Sequence, residues 1–119
     1  MATVKMVLAG GQGLTAAITL EAAEELKLAE GVEVRVLVKA TDVALATGSV
    51  SGLSIRNQIP GTIAGVELGA AMATVKIDVA DGLTLTAAIT ADAAVDLGLA
   101  EGASVTALIK STEVSIAVG

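Results

Sequence analysis

Apolar residues in this chain recur at every second position far more often than at helical spacing. Val32, Val34, Val36 and Val38 alternate with Glu33, Arg35 and Leu37, and Val105, Ala107 and Ile109 repeat the pattern further on. A period of two predicts strands with one buried face. Read this way, the chain has strands over residues 3–8, 14–18 and 32–46, and again over 74–79, 85–89 and 103–117. Between the second and third strand of each set the spacing turns helical. Ala22, Ala23 and Leu26, and likewise Ala93, Ala94 and Leu97, follow Thr19 and Thr90, which suit N-caps, with Glu21 and Asp92 in the first turn. Each helix has room for about two turns. Glu30-Gly31 and Glu101-Gly102 then turn the chain into its next strand. One more long strand is expected from Leu53 to Leu68, bent at Pro60-Gly61. Proline cannot donate to a ladder, so it marks a bulge or an edge.

The two sets are one segment written twice. Residues 2–48 and 73–119 align without a gap at a constant offset of 71, and more than half of the aligned positions are identical. Ala2-Thr3-Val4-Lys5 matches Ala73-Thr74-Val75-Lys76, Leu14 to Thr19 matches Leu85 to Thr90, and Lys39 matches Lys110. A twofold repeat of this length points to two small related units or one pseudo-symmetric barrel rather than a solenoid, which needs about three repeats or more. The units are expected at 1–48 and 54–119, with 49–53 as linker inside a small-residue stretch from Thr47 to Gly52. Only the second copy has a long strand in front of it.

Composition removes most chemistry. The chain has 119 residues with no Cys, no His and no aromatic residue. Thiol and imidazole catalysis and Cys/His zinc sites are therefore excluded, and no enzyme is expected. Seven Lys and Arg against thirteen Asp and Glu give a net charge of −6. Without basic surface or stacking aromatics, nucleic acid is not an expected partner. Cysteine-free composition suits a reducing cytoplasm. The mean hydropathy of +0.81 is high. Even so, the longest uncharged stretch, Met6 to Leu20, is broken by Gly10-Gly11-Gln12-Gly13 and is shorter than the roughly 18 residues of a membrane span. A leader read into Met1 to Ala9 is undercut by the same pattern at 73–80, inside the chain. No membrane partner is expected, so the apolar excess points to subunit interfaces.

The run Ser54-Ile55-Arg56-Asn57-Gln58-Ile59-Pro60-Gly61-Thr62-Ile63, then Gly69 to Ala73, Leu83 to Thr90, Leu97 to Gly102 and Ala107 to Lys110, resembles a Mop domain. Mop domains are the units of molbindins, small cytoplasmic molybdate-binding proteins of bacteria. The resemblance covers 54–119 as a full unit and 2–48 as a unit lacking its first strand. It implies an all-β fold with short helices, in OB-like barrels that exchange strands. It further implies a soluble cytoplasmic binder of molybdate or tungstate for storage or buffering, with the oxyanion as ligand, no organic cofactor, and no metal other than the one in the oxyanion. The chain departs from the pattern at Ile55, where the family usually has Ala, and no Ser-x-Arg-Asn strand precedes residue 2. The rival expectation is a designed or simplified self-assembling scaffold that kept the fold and lost the ligand.

A proton-free tetrahedral dianion only accepts hydrogen bonds, so its site needs several donors and no adjacent carboxylate. Ser54, Arg56, Asn57, Thr90, Lys110 and Ser111 are donors on the motif, and Thr19 and Lys39 are their candidates in the first copy. The resemblance implies that such pockets lie between units or subunits. Each residue also has a plainer role. Lys39 and Lys110 guard strand ends, Thr19 and Thr90 cap helices, and Arg56 and Asn57 fix the start of the long strand. Gly10-Gly11-Gln12-Gly13 reads as a hairpin turn rather than a phosphate loop, and Asp78 and Asp81 as turn residues rather than an acid/base pair. The missing strand would leave an unpaired edge, so a homo-oligomer is expected, a closed trimer first and an open filament as the alternative.

Overall fold

The computed structural model describes residues 1–48 and 50–119, and Ser49, inside the expected linker, lies outside the described residues. The strands and helices run β1 (Ala2–Val7), β2 (Gly13–Ile18), α1 (Leu20–Glu25), β3 (Val34–Val38), β4 (Ala44–Ala46), β5 (Asn57–Leu68), β6 (Met72–Ala80), β7 (Leu83–Thr90), α2 (Ala91–Asp96), β8 (Ser104–Ile109) and β9 (Val114–Val118). The fold is all-β with two short helices. The radius of gyration is 15.1 Å and the extents are 43 × 28 × 26 Å. A compact domain of this length would have a radius of about 13.5 Å, so the molecule is elongated.

The helices start where the sequence places their caps. The Thr19 hydroxyl accepts from Ala22 N–H at 3.0 Å and the Thr90 hydroxyl from Ala93 N–H at 3.1 Å. Past the last turn both copies enter the left-handed region, with Gly98 at φ 64° and Lys27 at φ 54°. Glycine adopts that conformation freely, and lysine does so at a cost.

The expected continuous strands at 32–46 and 103–117 do not form. Each is broken by a short 3-10 helix, Ala40–Asp42 in the first copy and Ser111–Glu113 in the second. The reason is a slip in phase. Inward apolar positions are even up to Val38 and odd from Val43, and the second copy slips the same way from Ile109 to Val114. A single strand with period two cannot bury both sets. The break lets it, and Val43 and Val114 end up 2% and 3% exposed.

Beyond the break each last strand crosses to the other copy. β3 pairs antiparallel with β9, and β4 with β8. The two ladders are images of one another. Val36 opposite Ile116 becomes, on adding 71 to the first number and subtracting it from the second, Ala107 opposite Leu45. The 3-10 helix of each copy likewise packs on the second strand of the other, Ser111–Glu113 on β2 and Ala40–Asp42 on β7. Strand exchange therefore occurs inside one chain, and each half of the fold is built from both copies.

β5 breaks the symmetry. The expectation left it free to pair with either copy or with a neighbour, and it pairs with its own, lying against β8 from Asn57 to Thr62 and against β6 from Thr62 to Leu68. The resulting sheet has the order β4-β8-β5-β6-β7, while β1-β2 and β3-β9 remain two-stranded. Pro60 precedes Thr62, where pairing with β6 starts, so it sits on an edge; the bulge lies later, between Ile63 and Gly65. Gly61 is required there, because a Cβ would lie 2.6 Å from Ile77 Cγ2 and 2.8 Å from the Asp78 carbonyl oxygen. Among the described residues no helix is long and apolar enough to cross a membrane.

The paired helix ends supply an internal control for stability. Lys27→Gly should stabilise the fold by up to about 1 kcal/mol, since relief of left-handed strain outweighs the added freedom of the unfolded glycine. Thermal unfolding checks this, and a lowered Tm would contradict the strain.

Candidate functional site

The motif residues of β5 and β8 meet at the seam between the copies. Asn57 is opposite Ile109 in the ladder, so Arg56 and Lys110 are the next residues beyond the end of adjacent strands β5 and β8. Both are exposed. Two cations side by side repel each other unless an anion lies between them. Ser54 and Ile55 lead into Arg56, with the Ile55 carbonyl accepting from Gln58 Nε2 at 3.1 Å. Lys110 also opens the 3-10 helix Ser111–Glu113, which packs against β2 of the first copy.

Asn57 is the bracket that holds this corner. Its Oδ1 accepts from Thr15 N–H at 2.8 Å, and its Nδ2 donates to the Thr15 carbonyl at 2.8 Å. The residue is 4% exposed and is the buried polar side chain of the core. Of its donors one N–H remains after the bracket, so its first task is to fix β5 on β2. This is the plainer of the two roles read from the sequence. Ser111 differs. Its hydroxyl oxygen is buried without a hydrogen-bond partner. A buried hydroxyl left unpaired costs about 1–3 kcal/mol, so it marks a place where a hydrogen-bonding group belongs. Glu113 closes the same turn, its N–H donating to the Lys110 carbonyl at 2.9 Å, and its side chain is exposed.

Other expected donors are elsewhere. Thr90 lies opposite Met72 at the end of β7, beside the β5–β6 hairpin and at the far end of β5 from Asn57. Its hydroxyl oxygen already caps α2, as that of Thr19 caps α1, and both helices have only six residues. Their dipoles are correspondingly small. Lys39 leads into the 3-10 helix Ala40–Asp42 on β7, with Ala40 where the second copy has Ser111. Within one chain, then, Ser54, Arg56, Asn57, Lys110 and Ser111 form one group, while Thr19, Thr90 and Lys39 stand apart. Asp78, read from the sequence as a turn residue, lies instead within β6 opposite Thr84, whose hydroxyl donates to its carboxylate at 3.1 Å.

Sequence reading missed Thr15, because what Asn57 grips is its backbone, for which no side-chain signal exists. It also missed Gln12, whose Nε2 donates to the Val79 carbonyl at 2.6 Å across the copies. Here a signal existed, since the aligned residue of the second copy is Leu83.

The described geometry has close counterparts. The model of the TOBE domain matches residues 1–45 and 53–116. A solved structure of the cytoplasmic molybdate-binding protein ModG, with molybdate bound, superposes with a TM-score of 0.95 at 42% identity, covering 98% of this chain and 84% of that one. The molybdenum-pterin-binding protein MopB of Rhodobacter capsulatus is 44% identical over 98% of this chain and 43% of its own length. Molybdenum-pterin-binding protein 1 of Clostridium pasteurianum is 42% identical over 54% of this chain and 94% of its own length. The chain thus spans less than half of MopB and nearly twice the length of the single-unit relative.

The bracket predicts a large effect on stability. Asn57→Ala strips partners from the part-buried N–H and carbonyl of Thr15 at once and should cost about 2–4 kcal/mol. Urea unfolding measures it, and a loss under about 1 kcal/mol would show that β5 is held by its ladders alone.

Proposed function

Because the chain belongs to the TOBE-domain family, in its molybdate-binding Mop group, we propose that it binds molybdate or tungstate at the seam between its copies and serves as a cytoplasmic store or buffer of the oxyanion. The observation that carries this reading is the buried, unpaired Ser111 hydroxyl beside two exposed cations, Arg56 and Lys110. A tetrahedral dianion supplies what that corner lacks, acceptors for hydroxyl, guanidinium and ammonium donors together. Ser54 and the remaining Asn57 N–H complete the donor set. Protonated phosphate would bring an O–H with no acceptor to receive it, a penalty of roughly 1–3 kcal/mol. The protein is not an enzyme in this reading.

The units are read as 1–48 and 54–119 joined by 49–53, each barrel completed by the other's last strand. They are not equivalent as sites. Lys39 stands beside Ala40, where the second copy has Lys110 beside Ser111. Thr19 and Thr90 are read as donors that reach a site from a neighbouring copy in a homo-oligomer, a closed trimer by preference. Leu68, Met72 and Val95, on the hairpin and helix around Thr90, are 58%, 47% and 65% exposed, which supports burial of that face between subunits.

Calorimetric titration with molybdate, with sulfate and phosphate as controls, tests the reading, and flat heats with every oxyanion would favour the ligand-free scaffold instead. Arg56→Ala should weaken binding by about 2 kcal/mol or more, as for a lost charge-assisted contact; unchanged affinity would move the site elsewhere. The stoichiometry of the parent should fall below two equal sites per chain. Light scattering at micromolar concentration checks the assembly. A mass near three chains is expected, an open-ended distribution indicates the filament, and a monodisperse 11.6 kDa species contradicts both.

A further inference from the structure

The β1–β2 hairpin of the first copy is tied to the second copy at a point outside the oxyanion corner. Gln12 Nε2 donates to the Val79 carbonyl at 2.6 Å, a part-buried bond between residues 67 apart in sequence. Val79 is the residue skipped where the β6–β7 register shifts between Asp78 and Ala80. A bulged residue is left out of its ladder, so its carbonyl needs a donor from elsewhere. A carbonyl only accepts, and this sets the amide with its NH2 towards Val79. The Gln12 Oε1 is then buried without a hydrogen-bond partner. Gly10 closes the same contact, since a Cβ there would lie 2.5 Å from both Ala80 Cβ and Gln12 Oε1. The copies differ here for a reason. Leu8, the image of Val79, gives its carbonyl to Gly11 N–H at 2.8 Å within its own turn, and position 83, the image of Gln12, is leucine. Where the carbonyl is already satisfied, the amide is absent.

We propose that Gln12 is a positioning residue for the oxyanion corner, a latch that holds β2 where Asn57 and Ser111 need it; the inference rests on the oxyanion reading of that corner. β2 is the common support of two of the donors. Its Thr15 takes both bonds of the Asn57 bracket, and the 3-10 helix that begins at Ser111 packs on it. Thr15 lies three residues beyond Gln12, about 10 Å along an extended strand. The bracket ties β2 to the second copy at one point and Gln12 ties it at another. One point permits a pivot, and two set a direction. The latch is costly for a contact that only stabilises, because it keeps an unpaired amide oxygen buried, and leucine, which the second copy has at this position, would avoid that. Gln12 itself lies outside the donor set. It acts through β2, by holding donors in place before the ligand arrives.

The test uses the full chain with Gln12→Met, which keeps the length and loses the donor, and with Gly10→Ala, which presses on the latch from outside. Amide hydrogen exchange is followed by NMR without ligand, and molybdate is then titrated by calorimetry. The Thr15 N–H, which donates to Asn57 Oδ1, should exchange at least ~10-fold faster in both variants, and saturating molybdate should restore its protection. Molybdate affinity should fall at least ~3-fold while the Tm stays within about 2 °C of the parent's. Where either variant fails to fold by circular dichroism, Gln12→Leu, the second copy's residue, takes its place. The inference is overturned if Thr15 exchange is unchanged, if a folded variant binds molybdate as tightly as a binding parent, or if affinity falls only together with the Tm. Flat heats from the parent itself would end the oxyanion reading instead, and Thr15 exchange would still decide whether Gln12 holds the corner.

Discussion

Neither copy can close a barrel by itself, because the apolar phase of its last strand slips at Lys39-Ala40 and at Lys110-Ser111. The residues after the slip face a core only in the other copy, where β4 lies on β8 and β9 on β3. Val43 and Val114 belong to the core cluster together with Leu14, Ala16, Ile59, Val75 and Ile109. That cluster draws on both copies, so unfolding either one strips apolar cover from the other. The two units of sequence are thus one unit of stability, and a corner assembled from β2, β5 and β8 exists only while both are folded.

The duplication also separates what sequence dictates from what surroundings dictate. Val4 and Val75 occupy the same position in the same tetrapeptide, yet one is half-buried and the other fully buried. The difference is β5. At roughly 25 cal/mol per Å² of apolar surface removed from water, a strand that covers two neighbours along its length is a large contribution. It makes the second copy the better-packed half. β5 reaches further through Asn57, whose two hydrogen bonds to Thr15 hold the first copy's β2 against the second copy's sheet. The strand that covers the second copy is also the strand that fastens the copies together.

Much of this fold was legible in the sequence. The period of two located β1, β2, β6 and β7 to within a few residues but ran β3 into β4 and β8 into β9, and Thr19 and Thr90 announced both helices. The phase slip from Val38 to Val43 was also present in the residues, but a run of alternating valines reads as one strand unless the parity is followed through the small and polar residues between. Which partner the displaced strand takes was not legible, because β4 and β9 have nearly the same pattern and would suit either copy. The site divides along the same line. Asn57 and Ile109 are ladder partners, so Ser54, Arg56, Lys110 and Ser111 follow at one end of the β5–β8 ladder. Thr90 joined them as a donor on the same motif, and Thr19 and Lys39 as candidates in the first copy, and neither motif order nor alignment carries a distance. Asn57 shows the limit most clearly, since its partner is a backbone that any residue at position 15 except proline would offer.

The proposed ligand imposes a condition that this arrangement meets in a particular way. A dianion approaching a chain of net charge −6 meets an unfavourable long-range field. Beyond about 8 to 10 Å that field is screened at ordinary ionic strength, so recognition rests on donors at contact range. Short-range donors are effective only if they are held in place before the ligand arrives. The 3-10 helix after β8 fixes Ser111 against β2, the Asn57 bracket fixes the start of β5 against the same strand, and the ladder ends at Asn57 and Ile109, with Arg56 and Lys110 next beyond it. Three elements from two copies converge on one corner, and the exchange of last strands between the copies is what brings them there.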